Sequence, residues 1–192
     1  MVVNPPVFLT EDEARLVVQE EAERAGLHFL ADSFVIKDVD LPATDEFRSP
    51  PSSNGGDIRS GSKVPTQKGN LVLDGYESKR NIGYEFISSD DFKAWKDRRL
   101  FHASSVSSYD FLQTAGTLRA GLAAKTSTPW TGVFFEPAAH PRLAMTAADT
   151  LTEAARNRYW EARHEVGRQA GEEQLRLQVR DFIRWLKSQG VI

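Results

Sequence analysis

Apolar positions recur with helical spacing near both ends of the chain and with strand spacing in the middle. In TEDEARLVVQEEAERA, residues 10–25, Ala14, Val17, Val18, Ala22 and Ala25 fall on one face. Thr10 stands at the N-cap with Glu13 three residues on, a capping box. Glu11 and Asp12 occupy the first turn, where the helix dipole favours anions. Leu9 and Ala14 are spaced for a hydrophobic staple, and Gly26 is placed to end the helix. Phe34, Val35, Ile36 and Val39 predict one strand or a bent pair within residues 28–41. From Pro42 to Gly69 the periodicity is lost among Pro, Gly, Ser, Thr and Asn. That stretch predicts a long surface loop without regular structure.

A period of two returns in LVLDGYESKRNIGYEFIS, residues 71–88. Leu71 and Leu73 alternate with Val72 and Asp74; Ile82, Tyr84 and Phe86 alternate with Gly83, Glu85 and Ile87. The polar link YESKRN predicts a hairpin. SSDDFKAWKDRR, residues 88–99, predicts a short helix capped by Ser88 or Ser89. Residues 109–125 carry a helical stripe of Phe111, Ala115, Leu118 and Leu122. Gly116 and Gly121 weaken that helix by roughly 1 kcal/mol each relative to Ala, and such small residues also let a helix lie close to a sheet. TGVFFEP, residues 131–137, reads as a buried strand. From Ala147 to Ser188 there are two stripes, Leu151, Ala155, Tyr159, Ala162 and Val166, then Leu175, Val179, Phe182 and Leu186. They are out of phase across GRQAG, residues 167–171. Two helices are expected, or one long helix disturbed near the glycines.

The order of elements predicts an α/β or α+β protein: a small mixed β-sheet with packed helices and a C-terminal helical extension. The expected division is an α/β domain over residues 1–146, including the 42–69 loop, and a helical segment over 147–192.

Composition narrows the chemistry. The chain has 192 residues, 40% of them hydrophobic, enough for a core. The formal net charge of −3 lacks the broad basic footprint of a nucleic-acid binder. Cys is absent, which excludes disulfides, thiolate metal sites and a cysteine nucleophile. No run reaches the roughly 18 apolar residues of a membrane span. MVVNPPVFLT lacks the regions of a signal peptide. A soluble chain is expected, cytoplasmic or a mature exported chain lacking its signal.

The element order also resembles the core of the PD-(D/E)XK nuclease-like fold: helix, three strands, helix, strand. In that family an Asp on the second strand and a Glu-x-Lys on the third bind a divalent cation. The resemblance places Asp74 and Glu85 as ligands of Mg²⁺ or Mn²⁺, hard cations that take oxygen ligands and activate water. Asp74 faces Glu85 if the turn centres between Lys79 and Arg80, and misses it if the turn centres one residue earlier, where Glu85 would oppose Val72. Ile87 stands at the lysine position, a departure that Lys79, Lys93 or Lys96 would have to repair in space. The competing reading makes Asp74 turn chemistry before Gly75 and pairs Glu85 with Lys79 or Arg80 at the surface.

FLTEDEARLVVQEEAERAGL, LDGYESKRNIGYEFISSDDF and LRLQVRDFIRWLKSQGVI are similar to segments of a family of bacterial proteins without an assigned activity. The resemblance implies a bacterial origin and supplies no catalytic residue. His28, His102, His140 and His164 show no metal-ligand spacing, and neither a nucleophile elbow nor a phosphate loop occurs. Trp95 and Trp185 lie on apolar stripes and are expected in the core. Trp130 and Trp160 lie off them and are the candidate contacts for a partner, since Trp is enriched in interface hot spots. The sequence therefore favours a non-catalytic binding or structural protein without a cofactor, acting through a protein partner or as a homo-oligomer. The alternative is a metal-dependent phosphodiesterase or nuclease-like enzyme.

Overall fold

The computed structural model describes residues 6–30, 34–43, 66–95, 111–126, 128–141 and 143–192. Helix α1, Glu11–Arg24, begins on the expected capping box, with Thr10 Oγ1 accepting the Glu13 N–H and the Glu13 carboxylate accepting the Thr10 N–H. Gly26 follows it at φ +73°, where a side chain would be strained. Strands β1, Val35–Pro42, and β2, Thr66–Val72, pair antiparallel. A bulge between Ile36 and Val39 bends β1, and Asp38 takes φ +53° within it.

Here the expected loop needs correction. Its two ends are strands that pair with each other, Pro42 opposite Thr66 and Leu41 opposite Gln67. Residues 44–65 lie outside the described residues. The sequence conceals β2 because TQKGN is polar throughout. Its order comes from the ladder to β1, from the Lys68–Asp40 ion pair at 2.8 Å, and from Gly69, whose missing side chain leaves room for Leu41.

The hairpin is also shifted. Leu71 and Val72 belong to β2, while β3, Gly75–Glu77, pairs antiparallel with β4, Ile82–Ile87. Tyr76 and Glu77 are therefore strand residues and the link shrinks to Ser78–Asn81. Asn81 closes it at φ +55°, a conformation Asn tolerates, and the Glu77 carboxylate accepts the Arg80 N–H at 2.9 Å. Strand β5, Trp130–Phe135, lies parallel to β4, giving the order β3-β4-β5 in a mixed sheet. The crossover between them contains α2, Ser89–Ala94, capped by Ser88, and α3, Phe111–Ala123. Gly121 of α3 lies so close to the Asp40 carbonyl that a Cβ there would meet its oxygen at 2.5 Å.

One face of the three-stranded sheet packs with Leu71, Leu73, Phe111, Ala115 and Leu118, beneath α3 and the β1-β2 pair. The other packs under α1 and the long C-terminal helix through Val17, Val18, Tyr84, Phe134, Leu175 and Val179. All six residues of β4 are buried.

After the short α4, Ala147–Thr150, comes one continuous helix, α5, Glu153–Ser188. At 36 residues it is about 54 Å long. Its buried positions are Ala155, Tyr159, Arg163, Gly167, Gly171, Leu175, Val179, Ile183 and Leu186. Through Ile183 each lies four residues after the last, a single ridge along the helix. The phase break expected at GRQAG is an illusion of polarity. The ridge passes through a buried arginine and two glycines; Val7 lies too close over Gly167 for a side chain there, while Leu9 lies in ordinary contact range over Gly171. Leu151 and Val166 are exposed, Val179 and Leu186 are buried, and Phe182 is partly buried.

Candidate functional site

Two places concentrate chemistry. The first is the carboxylate pair. With Gly75 opposite Tyr84, the register sets Asp74 opposite Glu85, the alignment expected for a turn centred between Lys79 and Arg80. Their environments differ. Asp74 lies just past the end of β2, and its Oδ2 accepts the Phe86 N–H at 2.6 Å. Glu85 is only 3% exposed, so it is not the surface partner of Lys79 or Arg80; Arg80 pairs with Glu77 instead. Burial, then the negative charges of Asp74 and Asp91, push the Glu85 carboxyl well above the usual range, although it accepts the Asp74 N–H. Its Oε2 has no hydrogen-bond partner among the described residues. Ser88 Oγ bonds both Glu11 and Asp91 nearby. Ile87, at the position of the resemblance's lysine, is fully buried. The hollow bounded by Glu11, Arg15, Asp74, Tyr84 and Phe86 holds about 10 Å³, room for a water but not for a hydrated Mg²⁺. Among the described residues no group of three or more His, Asp or Glu side chains is placed to hold a metal ion.

Another buried acid, Glu136, escaped the sequence reading because it ends an apolar strand. Glu136 is 1% exposed and follows β5. Its two oxygens accept the Leu9 and Ala138 N–H groups at 2.9 and 2.8 Å, fastening the N-terminal segment to the sheet. Burial raises its pKa to about 7 despite both bonds. It is a structural clasp.

The second place is a groove of about 410 Å³ at the opposite end of β4 and β5, lined by Arg119, Leu122, Lys125, Trp130, Thr131, Val133 and Trp185 among others. Trp130 opens β5 and Trp185 comes from the last turns of α5. Their rings meet edge to face, centroids 5.3 Å apart. Trp185 is 42% exposed, so its expected place in the core is wrong: the ridge that buries Ile183 and Leu186 turns it to the groove mouth. Behind the pair, Trp185 stacks on Phe182, Phe182 meets Phe134, and Phe134 meets Tyr84. The rim is thus held by a row of aromatic side chains running into the core. Trp160 is also part-exposed, but it lies beside Tyr159 and under the Arg163 guanidinium. Twenty-five residues of helix separate it from Trp185, roughly 38 Å. The two tryptophans singled out from sequence therefore share no surface, and the partner of Trp130 is one the sequence assigned elsewhere.

The floor of the groove is the free edge of β5. Trp130 donates its N–H to Asn81 and Glu136 donates its own to Ile87, so even-numbered residues face β4. Odd-numbered residues face away. Two are capped by side chains: Arg119 donates to the Val133 carbonyl, and the Gln178 amide pairs with both the N–H and C=O of Phe135 at 3.0 Å. Natural sheets cover exposed edges in this manner. Thr131 N–H and C=O and Val133 N–H point the same way, and no described residue caps them.

Comparison of the chain with protein-family models, with curated proteins and with solved structures gives no match. Architecture and site geometry define the class: a mixed α/β protein with two small sheets and a long C-terminal helix among its described residues. No described helix is long and apolar enough to cross a membrane.

Proposed function

We propose that the protein is a non-catalytic binding module whose contact surface is the groove between α3, β5 and α5. The observation that carries this reading is the Trp130–Trp185 pair, two large rings part-exposed at the mouth of a groove and braced from behind by the core. Rigid, half-desolvated tryptophans are the side chains that dominate interface energetics. The carboxylate pair supports the same reading from the other side. Asp74 is engaged with backbone, Glu85 is buried toward its neutral form, and the hollow beside them is too small for a hydrated cation. A metal-dependent phosphodiesterase would need these acids open and ionised. A bacterial origin belongs to the same proposal and rests on the sequence resemblance alone.

The test uses three variants: Trp130→Ala, Trp185→Ala and Trp160→Ala. Each is checked for native melting and used to capture partners under matched conditions, and the partner is then purified and titrated. A partner lost with Trp130→Ala and Trp185→Ala but kept with Trp160→Ala is the expected result. Binding that ignores both groove variants would defeat the proposal.

A further inference from the structure

We infer that the occupant of this groove is an extended, acidic segment of a partner protein, added as a short strand to the free edge of β5. The inference rests on the binding reading above and adds the chemistry of the partner.

Backbone supplies the first argument. Thr131 N–H and C=O and Val133 N–H are ladder positions that no described residue fills; both residues line the groove, Thr131 half-buried and Val133 buried. Gln178 already fills the ladder position at Phe135, so an added strand must stop there. The unfilled length from Thr131 to the buried Val133 is about 7 Å, which admits few hydrogen bonds. A strand this short needs further contacts, and the groove offers two kinds. The joined rings of Trp130 and Trp185 present one apolar surface to a side chain of the incoming segment.

Charge supplies the other. The chain is acidic overall, and along α5 Arg168, Arg176, Arg180 and Arg184 are each paired with carboxylates. Arg119 and Lys125 stand together on the groove without a carboxylate partner among the described residues. Arg119 spends one donor on the Val133 carbonyl and has others to offer, because a guanidinium carries five. Two neighbouring cations beside an unfinished strand edge complement an extended segment that bears acidic side chains.

The experiment titrates the full ¹⁵N-labelled chain with a capped hexapeptide alternating valine and glutamate. Two controls are the lysine-for-glutamate peptide and the glutamate peptide N-methylated at alternate amides. The expected result is shift changes at the Thr131 and Val133 amides and at the Trp130 and Trp185 indole N–H, with slowed amide exchange at Thr131 and Val133. Binding should weaken with added salt, and neither control should bind. Lys125→Glu should weaken binding roughly tenfold, the size of one close charge pair reversed. Thr131→Pro removes a donor that faces away from β4, so it should block the peptide while leaving the fold intact. Native melting of both variants is measured alongside. Equal binding of either control, or shifts confined to other surfaces, would overturn the inference. So would self-association lost on Trp130→Ala, which would make a second copy the occupant. If the peptide fails while partner capture still depends on Trp130 and Trp185, strand addition is wrong and the binding surface stands. If capture ignores both tryptophans, the binding reading itself fails.

Discussion

Single residues here are decided by their surroundings, and buried acids show it most clearly. Glu85 and Glu136 have raised folded-state pKa values, Glu136 about 7, both chiefly from burial. For a group whose folded pKa lies above its unfolded value, the stabilising contribution is full below the unfolded pKa. It is lost as pH rises through the folded one. Glu21 runs the other way. Arg180 binds it with two hydrogen bonds of 2.9 Å and lowers its pKa, so its contribution is lost as pH falls below the usual carboxylate range. Stability should therefore peak near pH 5 and decline toward pH 8, with Glu136 alone worth about 3 kcal/mol by its shift. Urea unfolding across that range checks the sign, and Glu85→Gln, which mimics the protonated acid, should flatten the decline. A stability that rises from pH 5 to 8 would contradict it. Metal dependence is a second test at this scale. Thermal unfolding of wild type and Asp74→Asn should coincide with and without Mn²⁺. A ligand held by the wild type alone would add about 2.7 kcal/mol at a hundredfold excess over its Kd.

Elements are decided by what lies against them. Helix α3 carries two glycines whose replacement by Ala should have opposite signs. Gly116 has nothing within 4 Å of a built Cβ, so Gly116→Ala should stabilise by about 1 kcal/mol through helix propensity. A Cβ at Gly121 would strike the backbone carbonyl of Asp40, and Gly121→Ala should cost roughly 1–3 kcal/mol through forced displacement of β1. Matched denaturant melts measure both, and equal shifts would show that the approach of α3 to β1 is looser than described. Sequence assigned both glycines the same penalty because propensity is local. Likewise the Gly167 to Gly171 stretch of α5 read as an interruption, whereas it is where the N-terminal segment crosses the helix.

At the scale of the whole molecule, α5 joins everything. Its later half supplies Leu175, Val179, Ile183 and Leu186 to the core and Trp185 to the groove, and its arginines hold Glu20 and Glu21 of α1. Ending the chain at Gln174 should abolish cooperative unfolding, since one face of the sheet would lose its cover. Circular dichroism and a dispersed amide spectrum would report it, and a truncated chain that still melted cooperatively would show an independent core. Phe182→Ala is a milder cut. Because Phe182 is only partly buried, the loss should fall near 2 kcal/mol, below the range of about 3–5 for a fully buried Phe.

The amino-acid sequence by itself determined whatever depends on neighbours along the chain. The capping box at Thr10, a serine cap at Ser88 or Ser89, the stop at Gly26, the apolar stripes of α1 and α3 and a buried strand within residues 131–137 are such features, since caps and periodicity act over a few residues. For Asp74 and Glu85, turn arithmetic left two registers open, and the β3-β4 ladder chose the one that sets them opposite each other. Only the tertiary structure decided the pairing of β1 with polar β2, the continuity of α5 through its glycines and the burial of Glu85 and Glu136. The meeting of Trp130 with Trp185 across fifty-five positions belongs with these. Those outcomes turn on which surfaces meet. A polar strand is ordered by its partner's backbone and a glycine is kept for the atoms that lie over it. The candidate groove is assembled from residues whose local sequence carries no sign of one another.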